Sequence, residues 1–338
     1  MKKALLGNTG MEVSVIGLGG IPIQRVNEED AINIILECKK QGINFIDTAR
    51  GYTVSEEYIG KGLKAAGREN FYIATKAMCY DYDSMKKSID ESLNTMDIDY
   101  IDLYQIHSVG TKQQLETALS ENGALKALIE AKAQGLIKHI GITGHVREIL
   151  IEAIDNNEFE TVQFPFNPVE PQGTELFLKA QEKGMGTIAM KPMAGGAFEH
   201  PLLSLKYILN SELITIAIPG MDSTKQVIEN AQVGIKAESL TKEEEAIINS
   251  EVESLGTEFC RRCGYCKPCP EGIDIPNVFT FENYVLKYNM PEYGKLKYDQ
   301  LKVKPDECVR CRKCERKCPY NLPIVEKLKH AVKTFKEL

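Results

Sequence analysis

Eight short apolar runs recur along the first two thirds of the chain, and helix-patterned sequence separates each from the next. That rhythm restricts the possible folds more than any other feature. The runs are VIGLGG (15–20), INFIDTA (43–49), FYIATKA (71–77), IDLYQIH (101–107), IKHIGITG (137–144), TVQFPFN (161–167), GTIAMKP (186–192) and TIAIPG (215–220). Between them, Ile32, Ile35 and Leu36, then Tyr58, Ile59 and Leu63, then Ile89, Leu93 and Met96, then Leu125, Leu128, Ile129 and Ala133 repeat near the helical period. Ser55, ahead of an acidic turn, marks a helix start; Gly42, Gly135 and Gly184 mark helix ends. Strands alternating with helices at about 25 to 30 residues per unit predict an α/β protein folded as a (β/α)8 TIM barrel, with a doubly wound open sheet as competitor. Residues 3–16 predict a hairpin around Gly7-Asn8-Thr9-Gly10. After an eighth helix over 223–233, Thr241 and Glu244 form a capping-box pattern that opens a further helix over 242–255.

Beyond that helix the texture changes. Of ten cysteines, Cys38 and Cys79 stand alone and eight lie between Cys260 and Cys318, so we expect a barrel over residues 1–257 and a small second domain over 258–338. A helical stretch over 278–288 and a last amphipathic helix with Ile324, Leu328, Ala331, Val332 and Phe335 fall within it. Apolar runs too short for a bilayer or a signal-peptide core make a soluble, cytoplasmic protein the expectation, and with it reduced thiols and metal ligation rather than disulfides. A net charge of −7 argues against nucleic acid as the main partner.

In a (β/α)8 barrel the carboxyl ends of the strands carry the chemistry. Asp47, Tyr52, Lys76 and His107 all fall at or just after such ends. A phenol titrates near pH 10, so Tyr52 needs a neighbouring cation to move protons at neutral pH. Lys76 can supply that charge, Asp47 can hold Lys76, and His107 can hydrogen-bond a carbonyl. Such a set suits proton delivery to a carbonyl oxygen while hydride arrives at its carbon. His139, His145, His200 and His330 have no partners at ligand spacing and read as surface or packing residues.

The segments D-T-A-R-G-Y (47–52), A-T-K (74–76) and Q-I-H (105–107) resemble the aldo-keto reductase family, and the resemblance spans residues 1–240. It implies an NAD(P)-dependent oxidoreductase acting on a small carbonyl or alcohol, with Tyr52 as proton donor, Lys76 lowering its pKa, Asp47 as the partner of Lys76, and His107 orienting the substrate. It also implies cofactor contacts from Gly20, Ile21, Thr143, Gln163 and Met190. The loop with Pro219, Gly220, Ser223, Gln226, Glu229 and Asn230 would hold phosphate. Three departures stand out: Gly144 replaces a common Asn, Met190 a common aromatic, and Gly220 with Gln226 the usual Lys and Arg. The choice between NADP and NAD therefore stays open.

Cys308-x2-Cys311-x2-Cys314-x3-Cys318-Pro319 is the bacterial ferredoxin pattern, and Cys260-x2-Cys263-x2-Cys266-x2-Cys269-Pro270 repeats it one residue shorter. The pair resembles a two-cluster ferredoxin. By the crossed rule, Cys260, Cys263, Cys266 and Cys318 would hold one [4Fe–4S] cluster, and Cys308, Cys311, Cys314 and Cys269 the other. Structural zinc is the alternative for these thiols. Residues 301–338 hold eleven Lys or Arg against five Asp or Glu, a basic tail that suits an acidic ferredoxin- or flavodoxin-like electron carrier. Hydride carries two electrons and each cluster takes one, so a flavin intermediary is a possibility for which no fingerprint is present. Three uses of the clusters are open: feeding electrons to a substrate or carrier, sensing oxidation, or holding structure. The alternative function is an electron-transfer or redox-sensing iron-sulfur protein whose barrel binds nicotinamide or flavin but does not reduce carbonyls.

Overall fold

The computed structural model describes residues 1–256, 258–262 and 264–338. Two short strands, β1 (Lys3–Leu5) and β2 (Glu12–Ser14), form the expected antiparallel hairpin. Eight parallel strands follow: β3 (Leu18–Gly19), β4 (Phe45–Asp47), β5 (Tyr72–Ala77), β6 (Ile101–Ile106), β7 (Ile137–Thr143), β8 (Thr161–Pro165), β9 (Gly186–Met190) and β10 (Ile216–Ile218). Each pairs with the next in sequence. Parallel bridges Ile16–Ala217 and Gly19–Gly220 join the last strand to the first, closing the sheet into a (β/α)8 barrel rather than an open doubly wound sheet.

The strands are near-continuous apolar runs because both faces are covered. Phe45, Ala74, Leu103, Ile188, Ile216 and Ile218 fill the barrel interior, while a larger cluster including Ile46, Ile73, Tyr104, Ile142 and Val162 packs between strands and helices. The glycine stops behave as expected: Gly42 and Gly184 take positive φ of 77° and 71° at helix ends. The capping box is reciprocal, with the Thr241 amide donating to Glu244 Oε2 at 2.8 Å and the Glu244 amide to Thr241 Oγ1 at 3.2 Å. Ser55 departs from expectation. It is the first residue of the helix Ser55–Ala66, whose N-cap is Val54 without a side-chain cap. Its hydroxyl donates instead to the Gly20 carbonyl at 2.9 Å and meets Thr48 Oγ1 at 2.9 Å, tying the helix to two strand ends.

The chain divides into two compact units, residues 1–194 with 200–248, and residues 195–199 with 249–338. In the second, the helix expected over 278–288 runs Ile275–Leu286, earlier because Pro276 sits well in a first helical turn. Another helix, Pro291–Asp299, was not legible from periodicity. The terminal helix Ile324–Lys336 buries Ile324, Leu328, Ala331 and Phe335. No described helix is long and apolar enough to cross a membrane.

Candidate functional site

Asp47 ends β4, Lys76 is the penultimate residue of β5, and His107 immediately follows β6. Parallel register sets them side by side: Asp47 is level with Ala74, and Lys76 with Gln105. Lys76 Nζ lies 2.5 Å from Asp47 Oδ1 and donates to the Thr48 carbonyl at 2.7 Å. Both charged side chains are almost wholly enclosed, 2% and 4% exposed, so neither has water to fall back on. Burial pushes the Asp47 carboxyl up and the Lys76 ammonium down, and each charge opposes that shift in its partner.

Tyr52 lies in a tight turn between β4 and the helix Ser55–Ala66. Its amide donates to the Ala49 carbonyl at 3.0 Å, its carbonyl accepts from the Ser55 amide at 2.7 Å, and the Arg50 amide reaches the Lys76 carbonyl at 3.0 Å. The Tyr52 ring stands 6.1 Å from the His107 ring at 84°, with Lys76 Nζ 5.3 Å from the Tyr52 centroid. All four members of the expected set are thus brought together at one rim of the barrel. His107 is held well below its ordinary pKa, first by burial and then by the positive charges of Lys76 and Lys191, so it is neutral. Its Nδ1 is buried without a hydrogen-bond partner.

Three features around this set were missed from sequence. Gln105, level with Lys76, donates to Asp47 Oδ2 at 3.3 Å; its inward position two residues before His107 follows from strand alternation. Glu56, only 2% exposed, accepts from Thr75 Oγ1 at 2.7 Å and Ser92 Oγ at 2.9 Å and is paired with Arg50, which also reaches Glu91 at 3.1 Å. This network straps the Tyr52 turn to the strand carrying Lys76. His145 is no bystander: its Nε2 lies 2.7 Å from Lys191 Nζ, and the Lys191 carbonyl accepts from buried Asn167 at 3.0 Å. Because partners at spatial rather than sequence spacing decide such roles, periodicity gave no signal for them.

The residues expected to hold a cofactor occupy the same rim. Gly20 donates its amide to the Asp47 carbonyl at 2.7 Å, and Ile21 begins a short turn, Ile21–Arg25. Thr143 ends β7 and accepts the Ser108 amide at 3.0 Å. Gln163 is 1% exposed, helps to hold the Asp47 carboxyl down against its burial, and leaves its Oε1 without a partner. Met190 ends β9 half-buried. Pro219 is buried and Gly220 exposed; a Cβ on Gly220 would come within 2.6 Å of Pro22 Cγ, so the close approach of the first loop requires glycine. Ser223 caps the helix Thr224–Lys236 by accepting the Gln226 amide at 3.3 Å. Gln226 Oε1 in turn accepts the Asp222 amide at 2.7 Å, and Asp222 pairs with Arg25 at 2.9 Å. Asn230 is buried, whereas Glu229 is exposed and 3.7 Å from Lys225.

In the second unit, Cys269, Cys308, Cys311 and Cys314 line a single cavity, together with Ile275, Val325 and Leu328. Three come from one motif and one from the other. Cys260, Cys266 and Cys318 join the same small apolar cluster, and Cys263 lies outside the described residues. Backbone conformation repeats between the motifs: Arg262 and Gly264 have φ of 56° and 81°, and their counterparts Arg310 and Arg312 have 56° each. Side chains other than glycine tolerate that region only where the surroundings enforce it.

Residues 15–202 match the Aldo/keto reductase family, and residues 259–323 match the 4Fe-4S dicluster domain. The L-galactose dehydrogenase of Arabidopsis thaliana is 31% identical over 300 residues, spanning 74% of this chain and 92% of that protein. Glycerol 2-dehydrogenase (NADP(+)) of Saccharomyces cerevisiae is 27% identical over 61% of this chain and 73% of its own length. Among solved structures, the holo form of an aldo-keto reductase from Bacillus halodurans superposes with a TM-score of 0.64 at 26% identity, covering 74% of this chain and 96% of that one. With a closed barrel and a matched dicluster segment, the chain belongs to the aldo/keto reductase family and is an oxidoreductase with a 4Fe-4S domain.

Proposed function

We propose that the barrel is an NADP- or NAD-dependent carbonyl reductase or alcohol dehydrogenase in which Tyr52 moves the proton. The buried Asp47–Lys76 pair beneath Tyr52, with neutral His107 beside it, is the observation that carries this assignment. The residues present fit a nicotinamide. Gln163 Oε1, buried and without a partner, suits an amide donor, and the N-terminal end of the helix Thr224–Lys236 suits a phosphate. A bound nicotinamide would supply hydride to the carbonyl carbon, or take it back in the oxidative direction. Tyr52 Oη gives its proton to the carbonyl oxygen as that oxygen receives the C=O electron pair. Lys76, positively charged within 6 Å of the ring, favours the phenolate that remains. Neutral His107 has an N–H to direct at the same oxygen, since one ring nitrogen of a neutral imidazole donates. Tyr52→Phe should keep cofactor affinity while turnover falls by about 10²- to 10⁴-fold, read by cofactor titration and by steady-state rates on an aldehyde panel. Unchanged turnover sinks the assignment.

For the second unit we infer two [4Fe–4S] clusters with crossed ligands, Cys308, Cys311, Cys314 and Cys269 on one and Cys260, Cys263, Cys266 and Cys318 on the other. Four thiols spread around one cavity support the first set, because a cubane takes its ligands on four separate irons. The matching backbone turns support the second set by analogy. These clusters exchange single electrons with a protein carrier. Bleaching of the visible spectrum on adding NAD(P)H, with and without flavin, would separate clusters coupled to the barrel from clusters served only by the carrier.

A further inference from the structure

The loop and short helix that carry Cys308, Cys311 and Cys314 present an unusual surface. Cys311 is exposed, and Val309, which lines the cysteine cavity, is 61% exposed. Around that apolar spot, Arg310, Arg312, Lys313, Arg316 and Lys317 are all exposed, with Glu315 the single acid between 309 and 318 and Glu271 and Glu326 the acids facing it from neighbouring segments. Glu315 is already engaged, accepting the Val325 amide at 2.9 Å. Among the described residues, only Arg312 of these five cations has an ion pair, with Glu315 at 3.7 Å. Arg316 and Lys317 reach backbone carbonyls of Cys311 and Lys267, at 3.4 and 3.3 Å, which leaves their charge uncompensated. In the first motif, Cys266 is buried and Arg261 lies over the Tyr320 ring at 3.9 Å.

Building on the cluster assignment above, we propose that the Val309–Cys311 face is the docking surface for an acidic one-electron carrier protein, and that electrons cross at the cluster held by Cys308, Cys311, Cys314 and Cys269. An apolar centre with a charged rim is the form of a small, transient interface: the centre excludes water, and the rim steers encounter and selects partner charge. A cluster whose ligand reaches the surface offers a short path to a donor seated there. In the step itself one electron leaves the reduced carrier and the cluster gains it, with no bond made or broken and no proton moved. Nucleic acid fits less well, because the chain as a whole carries a net charge of −7 and repels a long polyanion.

The test measures binding of an acidic flavodoxin to the full chain by calorimetry at low and raised ionic strength, with iron and sulfide quantified on every sample. The unaltered protein should bind more weakly as salt rises. Lys313→Glu/Arg316→Glu/Lys317→Glu should weaken Kd by about tenfold or more and flatten the salt dependence, at unchanged iron content. Val309→Asp, which puts a charge at the apolar centre and removes none of the five cations, should weaken it as well. Kd unchanged within about twofold in the charge-reversed protein overturns the docking surface, as does equal affinity of the unaltered protein for duplex DNA. An anaerobically reconstituted chain that holds no iron overturns the cluster assignment instead, a different failure with a different readout.

Discussion

Lys76 and Asp47 show how much a single residue's meaning depends on what surrounds it. A lysine ending a strand is ordinarily solvated, yet here its ammonium is sealed against a carboxylate, the Thr48 carbonyl and the ring of Tyr52. Removing one member of such a pair leaves the other charge without partner or water. Lys76→Met should therefore cost about 3 to 5 kcal/mol in chemical unfolding, while Lys76→Met/Asp47→Asn, which removes both charges, should recover much of that loss. If single and double variants unfold alike, the pair contributes nothing by its charge. The grouping of Asp47, Tyr52, Lys76 and His107 was legible because each sits at or shortly after a strand end inside a short recognisable segment. Glu56, Gln105 and the Lys191–His145 contact were not, since each acquires its role from a neighbour 19 to 58 positions away. Sequence spacing carries no trace of such distances, and only the parallel register of the barrel creates them.

At the scale of elements, the helix Ser55–Ala66 is the part that translates packing into chemistry. Its first turn supplies Ser55 to the Gly20 carbonyl and Glu56 to Arg50, so its position fixes the turn that holds Tyr52. Its far side rests on the end of the helix Tyr82–Met96 through Gly60, where an added Cβ would fall 2.3 Å from the Met96 carbonyl oxygen and 2.7 Å from its Cα. Those are backbone atoms that cannot rotate away. Gly60→Ala should push the two helices apart, costing about 1 to 3 kcal/mol and lowering turnover without removing any catalytic group. A stable, fully active Gly60→Ala would show that the helix does not transmit strain to the Tyr52 turn. Strand and helix identities were readable from the two hydrophobic periods, and the reciprocal Thr241–Glu244 box from its spacing. Ser55 was misassigned because a serine before an acidic turn has the composition of a cap, whereas tertiary contacts to Gly20 and Thr48 claim its hydroxyl. The helix Pro291–Asp299 escaped because it buries only Gly294 and Tyr298, too few positions to form a stripe.

For the molecule as a whole, the two units differ in what holds them together. The barrel's clusters run to dozens of buried aliphatic and aromatic side chains, enough to fold around without a prosthetic group. In the second unit, the apolar cluster comprises Ile273, Ile275, Val278, Phe279, Leu322, Ile324, Leu328 and Ala331, interleaved with the cysteines themselves. A core this small, with thiols among its members, depends on what the thiols bind: metal binding free energy becomes folding free energy. Anaerobic removal of iron with a chelator should strip hydrogen-exchange protection from amides across 259–323 while those of β5 and β6 keep theirs. Exchange unchanged in both regions would mean that the second unit stands on its own apolar contacts and the clusters only decorate it. The expected asymmetry also bears on function. A cluster that both holds its unit together and reaches the surface at Cys311 would make the site of electron entry inseparable from the stability of the fold around it.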